Sequence, residues 1–343
     1  MGGDYAPGEI VVGAVEAAVG IEDVKILLVG QLAPIQEELG RLPPKLKASA
    51  QRAIETGALE IVHAPDVAEM DEHAVEAVRK KKDCSINVAM RLVKEGRADA
   101  FVSAGNSGAV ATSAILTLGR IQGVKRPAIA TVLPNRNPKR PLMVLDAGAN
   151  MDCHPEWLVQ FAIMGNAYSK AVLKRGVPAV GLVSIGTEDC KGNEMTKATF
   201  PLLKKVKDIN FVGNIEGKDL YKGHIDVAVC DGFVGNVVLK TTESIAKAMG
   251  YWLKKECFKG PLRILGALLL KGAFHSLKKQ LDPEVYGGAP LLGVPGAVII
   301  AHGSSTQKAI YYAVKAGVAA ATNDVSGLIA KAIAEHAEDQ EQK

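Results

Sequence analysis

Aromatic side chains are few in these 343 residues: two Trp, seven Tyr and seven Phe make up 5% of the chain. That scarcity argues against a nucleic-acid surface built on base stacking. Cysteine is also sparse. The five thiols (Cys84, Cys153, Cys190, Cys230 and Cys257) are odd in number and form no C-x-x-C pair, so neither a disulfide framework nor a structural zinc site is expected. Scattered single thiols suit a reducing cytoplasm, and no secretory leader pattern is read at the start. No apolar run approaches the roughly 20 residues of a membrane span; residues 264–270 are the longest candidate. A strong excess of one charge is lacking too, since 41 Lys and Arg against 37 Asp and Glu leave only +4. So mild a charge demands no polyanionic partner. The nucleotide fingerprints G-x-G-x-x-G and G-x-x-x-x-G-K-[ST] are missing, as is a G-x-S-x-G elbow, so neither nucleotide binding nor a serine-hydrolase site is indicated.

Glycine is plentiful, with 35 residues, which suits tight turns between Val/Ile/Ala-rich strands. Apolar strand-like runs at 25–29, 59–62, 98–102, 128–133, 142–145, 179–183, 210–212, 226–229 and 297–300 are separated mostly by helical stretches. Those stretches are 9–19, 71–97, 106–118, 155–174, 194–207 and 235–255, with 304–316 and 323–335 closing the chain. Strands alternating with helices predict one α/β unit over residues 1–343, a three-layer fold around a mostly parallel sheet.

Three places repeat one design, an apolar strand, a Gly/Asn-rich turn and a helix: AFVSAGNSGA from Ala100, VGLVSIGTEDCKGNE from Val180 and DVAVCDGFVGN from Asp226. Free N–H groups at such helix starts, with the helix dipole, attract anions, so the three turns predict one crevice for phosphate-like groups. Gly105, Asn106, Ser107 and Gly108 in the first turn could contact the anion, or Asn106 could be an ordinary cap. Lys191 could bring a point charge, with Asn193 beside it. Asp231, Gly232, Gly235 and Asn236 bend the third turn, where Asp231 could equally be a cap. Asp146 and Asn150 sit in a similar turn, DAGAN. His302 and Ser304 follow an apolar strand near the end of the chain, where His302 could donate to an anion and Ser304 could simply cap the next helix. Cys190 and Cys230 lie close to these turns, but no matched base for a thiol nucleophile is evident.

One segment departs from the alternation. Residues 254–281 carry Lys254, Lys255, Lys259, Arg263, Lys271, Lys278 and Lys279 against a single Glu256, interleaved with Leu262, Leu265, Leu268, Leu269 and Leu277. Pro261 suits a helix start. A basic amphipathic protrusion of this kind can meet a membrane interface or an acidic partner, or pack on its own core or a second subunit.

Taken in order, MGGDYAP, SAGNSGA, LDAGANMDCHPE, IGTEDCKGNE, FVGNIEGKD, VCDGFVGNVVLKT and GGAPLLGVPGAVIIAHGSS resemble the acyl-acyl-carrier-protein:phosphate acyltransferases of bacterial phospholipid synthesis, the PlsX family. The resemblance runs from residue 1 to about residue 305. Tyr5 stands where that family commonly has His, Ser107 and Val234 where it has Thr, and Ile300 where Lys is frequent. The family usually has a strand ending in Asp-Ala before Met-Gly-Gly-Asp, so a strand is expected ahead of this chain's first turn.

The resemblance implies a Rossmann-like α/β/α fold related to phosphotransacetylases and isocitrate-dehydrogenase-like enzymes. It implies a cytoplasmic homodimer that turns acyl-acyl-carrier protein and inorganic phosphate into acyl phosphate. The product would serve a membrane glycerol-3-phosphate acyltransferase, with peripheral contact to the inner face of the cell membrane. No cofactor, metal or nucleic acid is implied. Lys191, Asn236 and Asp231 would carry catalysis, and the other turn residues would hold phosphate or substrate. Lys254, Lys255, Arg263, Leu265, Leu268, Leu269 and Lys271 would touch membrane or carrier protein. A phosphotransacetylase using acyl-coenzyme A, and a non-catalytic membrane scaffold, are the alternatives.

Overall fold

The computed structural model describes residues 1–341. Along the chain the elements are α1 (Gly8–Gly20), β1 (Ile26–Gly30), α2 (Leu32–Arg41), α3 (Pro44–Glu55), β2 (Leu59–His63), α4 (Ala74–Lys80), α5 (Ser85–Lys94) and β3 (Ala100–Ser103). There follow α6 (Ser107–Thr117), β4 (Ala128–Leu133), β5 (Leu142–Leu145), α7 (Pro155–Ala171), β6 (Ala179–Val183), α8 (Glu194–Leu203), β7 (Asn210–Ile215) and β8 (Val227–Val229). The last third holds α9 (Gly232–Cys257), α10 (Pro261–Leu269), α11 (Lys271–Gln280), a short 3-10 turn, β9 (Ala289–Leu292), β10 (Ala297–Ile300), α12 (Gln307–Thr322) and α13 (Val325–Glu341).

Eight strands form one sheet in the order β3-β10-β9-β4-β5-β8-β6-β7, and β1 and β2 form a separate parallel pair. Pairing is parallel at β3/β10, β5/β8, β8/β6 and β6/β7, and antiparallel at β10/β9, β9/β4 and β4/β5. Alternation along β5 shows why helices cover both faces. Met143 and Leu145 join the cluster built on α7, while Leu142 and Val144 face Val238 and Leu239 of α9. β4, β5, β8 and β10 are buried almost throughout, as their continuous apolar sequences require.

The expected helix at 71–97 is interrupted. The chain folds back so that Asp66 bridges Cys84, and Lys81 bonds the Val67 carbonyl and the Glu72 carboxylate. α2, α3 and β9 arise where no element was expected. Among the described residues, β1 pairs only with β2, and β3 only with β10. Between their facing edges lies a cavity of about 970 Å³ that includes Met1, Leu27, Phe101 and Val102 in its lining.

α10 and α11 contain no buried residue and pack chiefly on one another and on α9. Leu262, Leu268 and Leu269 are 84%, 63% and 80% exposed, so this is the protrusion expected from the basic segment. Among the described residues, no helix is long and apolar enough to cross a membrane.

Candidate active site

The site begins at the carboxyl end of β5. Asp146 is fully buried, and its two oxygens accept five N–H bonds. Oδ1 takes the amides of Ile129 (3.0 Å), Gly148 (3.1 Å) and Ala149 (3.1 Å); Oδ2 takes the Asn150 amide (2.7 Å) and Asn150 Nδ2 (2.9 Å). Burial pushes the Asp146 carboxyl above the usual aspartate value, while these donors pull the other way. Asn150 Nδ2 also donates to the Pro127 carbonyl, and the Asn150 carbonyl accepts the Gly232 amide at 2.7 Å. The Asp146 carboxylate, the Asn150 amide nitrogens and backbone carbonyl, and the Gly232 amide therefore shape the loop and join it to α9. The expected phosphate contact from them is not what this geometry offers. Asp146→Asn would turn an NH₂ toward amide donors, and is expected to lower stability by about 3 kcal/mol. The check is a Tm drop of roughly 5 °C in thermal unfolding.

The caps expected at Asp231 and Asn106 form, and Asn193, expected only as a ligand contact, is a third. Asp231 accepts the Val234 amide (2.9 Å), Asn193 the Thr196 amide (2.9 Å) and Asn106 the Ala109 amide (3.0 Å). Ser304 is not a cap: α12 starts at Gln307, whose amide is held by Glu9 from α1. Cys230 is buried, and burial with the nearby Asp231 and Asp146 charges pushes its thiol well up. The same causes carry Cys153 up to about 12. Neither thiol supplies a ready thiolate at neutral pH.

Two candidate side chains remain unspent at this edge. Asn236 is exposed on the second turn of α9, makes no side-chain hydrogen bond among the described residues, and lies alongside Gly148. Lys191 is exposed with its ammonium unpaired among the described residues. Its loop is fixed by Ser184 Oγ on the Lys191 carbonyl and by Asn214 Nδ2 on the Glu188 carbonyl. β6 adjoins β8 in the sheet, so the Lys191 loop and the start of α9 leave neighbouring strand ends.

The first turn belongs elsewhere. Three successive antiparallel pairings reverse β3 and β10 relative to β5, β8 and β6, so SAGNSGA does not emerge beside the other two turns. It packs instead with the chain start and the turn after β10. The Asp4 amide donates to the Gly303 carbonyl (2.8 Å), and Gly3, at φ +105°, leaves no room for a Cβ, which would stand 2.9 Å from the Ala104 carbonyl. Asn106 Nδ2 bonds the carbonyls of Met70 (3.2 Å) and Glu72 (3.1 Å), so its amide clamps residues 69–72 rather than reaching for a ligand. The Gly105 amide is taken by Ser103 Oγ (3.1 Å), and Gly108 packs on Ala74. Among the described residues, the Ser107 and Gly108 amides at the start of α6 have no hydrogen-bond partner.

α9 links the two groups of turns. Lys240 lies four residues beyond Asn236, one turn along the same face, and its Nζ stands 3.5 Å from His302 Nε2. His302 in turn bonds Ser304 Oγ through Nδ1 (2.8 Å). Lys240 was not singled out from the sequence; its i+4 spacing from Asn236 was the available signal. Gly235 N bonds the Asp231 carbonyl within the helix, and Gly235 is required where α9 crosses the Asp146 backbone.

Strand-end turns tied together by one long helix across a mixed sheet define an α/β protein of the phosphotransacetylase fold class. A phosphotransacetylase from Streptococcus pyogenes superimposes with a TM-score of 0.56 at 15% identity, over 91% of this chain and 98% of that one. A branched-chain phosphotransacylase from Enterococcus faecalis V583 gives 0.56 at 11% identity, over 93% and 96%. The chain belongs to the phosphate acyltransferase (PlsX) family: residues 1–328 match the family described as "Fatty acid synthesis protein". Its relatives include the phosphate acyltransferases of Desulfitobacterium hafniense Y51, 50% identical over 92% of this chain and 90% of the relative, and of Trichodesmium erythraeum IMS101, 45% identical over 95% and 92%.

Proposed function

We propose that the protein transfers a fatty acyl group from acyl-acyl-carrier protein to inorganic phosphate, yielding acyl phosphate for phospholipid synthesis. The observation that carries this reading is 45–50% identity, across 92–95% of the chain, to proteins named phosphate acyltransferase. In the reaction an oxygen of hydrogenphosphate attacks the thioester carbon. A C–O bond forms, the C–S bond breaks, and the hydrogenphosphate proton ends on the departing thiol. The nucleophile brings its own charge, so the chain must position it and stabilise the developing oxyanion. The unspent Asn236 amide donates to the oxyanion or orients the phosphate, and Lys191 supplies charge. Asp231 acts indirectly, by fixing the first turn of α9.

Incubation of palmitoyl-carrier protein with the protein is expected to release free carrier only when phosphate is present, with a hydroxylamine-reactive product. Release that ignores phosphate would overturn the reading. The phosphotransacetylase fold supports acyl-coenzyme A as a rival donor; a higher kcat/KM for the coenzyme A thioester would favour it. Vesicle binding without turnover would favour the scaffold.

In the same proposal, two copies form the active homodimer. The protrusion meets acidic carrier protein and the inner membrane surface, where the product passes to a glycerol-3-phosphate acyltransferase. Seven Lys and Arg around exposed leucines support that role by charge complementarity. Replacing Leu268 and Leu269 by Glu is expected to weaken binding to vesicles containing anionic lipid by about tenfold or more. The Tm should hold, because neither side chain belongs to a buried cluster. Unchanged sedimentation with vesicles would reject the lipid contact.

A further inference from the structure

We infer that Lys240 and His302 form a phosphate-binding pair at the junction between α9 and the turn after β10; this rests on the acyl-transfer reading above. The Ser304 amide donates to His302 Nδ1 at 3.1 Å, which requires a lone pair on that nitrogen. The neutral ring then carries its proton on Nε2. Nε2 faces Lys240 Nζ at 3.5 Å, and an ammonium has three donors and no acceptor. Two donors are thus aimed at one place with no acceptor between them. An oxyanion with several acceptor oxygens satisfies both, and a phosphate group does so while offering its remaining oxygens to other donors.

The flanking charges fit an exchangeable anion. Glu243, one turn further along α9, holds Lys240 at 3.1 Å, with the Lys240 side chain still 49% exposed. The Asp4 carboxylate lies beside Gly303, the residue after His302, but it is Glu243 that holds the Lys240 ammonium. Glu243 is therefore the local carboxylate that an arriving phosphate replaces on Lys240. Position matters as much as charge. One helical turn, about 6 Å, separates Lys240 from Asn236. A phosphate on the pair lies along the face of α9 that presents the unspent amide. A free phosphate and a phosphate group borne by the thioester's carrier share this chemistry, and the test separates the two.

The experiment measures binding of inorganic phosphate to the full chain by its saturable rise in Tm, alongside KM for phosphate and for acyl-carrier protein. Lys240→Met and His302→Ala are each expected to weaken phosphate binding about tenfold or more, with the double variant little worse than either single one. Lys240→Arg restores most of it. Glu243→Gln is expected to tighten binding, because the competing carboxylate is gone. A higher phosphate KM at constant thioester KM identifies free phosphate as the occupant; the converse identifies the carrier's phosphate group. Wild-type phosphate affinity in both single variants, with both KM values unchanged, would overturn the pair and leave the acyl-transfer reading standing. Loss of phosphate-dependent turnover in the wild type would instead defeat that reading, and an unresponsive Tm would then defeat the pair with it.

Discussion

Gly235→Ala is expected to lower turnover about 10²-fold and to lower the Tm by several degrees. A Cβ at this position would stand 1.8 Å from the Asp146 carbonyl oxygen and 2.9 Å from its carbon. Both are backbone atoms of a residue locked by five N–H bonds, so neither can turn aside as a side chain would. The only relief is for α9 to lift off the 146–150 loop by an ångström or more. That movement breaks the Gly232–Asn150 bond and carries Asn236 and Lys240 away from their places. A misplacement of that size costs about 10²-fold in rate where reacting groups must align. Gly40→Ala on α2 is the control. It is also helical, but nothing lies within 4 Å of its added methyl, so it should gain up to about 1 kcal/mol. Turnover and thermal unfolding of both variants check the prediction. Normal turnover in Gly235→Ala would mean that the contact between α9 and the Asp146 loop does not organise the site.

Removal of the Asn236 amide should have the opposite profile: a large loss of rate with almost no change in Tm. Its side chain makes no hydrogen bond among the described residues, so Asn236→Ala leaves no orphaned partner there. If the amide meets the developing oxyanion, its loss should cost about 10² to 10³ in kcat, the usual effect of deleting one such donor. Lys191→Ala should also reduce turnover without unfolding, since its ammonium is exposed and unpaired among the described residues. The separation of rate from stability is the informative part. Asp146→Asn should lose both together, because Asp146 acts through the loop it builds. Acyl phosphate formation measured beside thermal unfolding distinguishes the two patterns. Near-normal kcat in both Asn236→Ala and Lys191→Ala would move the chemistry away from the β6 and β8 ends.

Much of the fold was legible because its signals are local. The runs at 128–133, 142–145, 179–183 and 297–300 coincide with β4, β5, β6 and β10 end to end. Each is a short apolar run closed by turn residues, and the backbone pairs it where it lies. The caps at Asn106 and Asp231 were legible for the same reason: a side chain and an amide three residues apart need no distant partner. β9 was not legible. It follows Gly287 and Gly288 and contains Pro290, and its strand character comes from pairing with β4 and β10. The break between α4 and α5 likewise depends on Asp66 and Glu72, which are remote from it along the chain.

The sequence by itself determined the strand–turn–helix units, the caps that open their helices and the exposed basic protrusion, all properties of neighbouring residues. Only the tertiary structure decided which polar groups those units consume and which they leave over. Asp146, Asn150 and Asn106 looked like ligand contacts and proved to be holding backbone. Lys240 carried no mark until α9 brought it to His302, 62 residues away along the chain. The physical reason is that a buried or bridging hydrogen-bonding group takes the first partner that folding supplies. Its availability for chemistry is fixed by long-range packing and three antiparallel reversals, which local spacing does not encode.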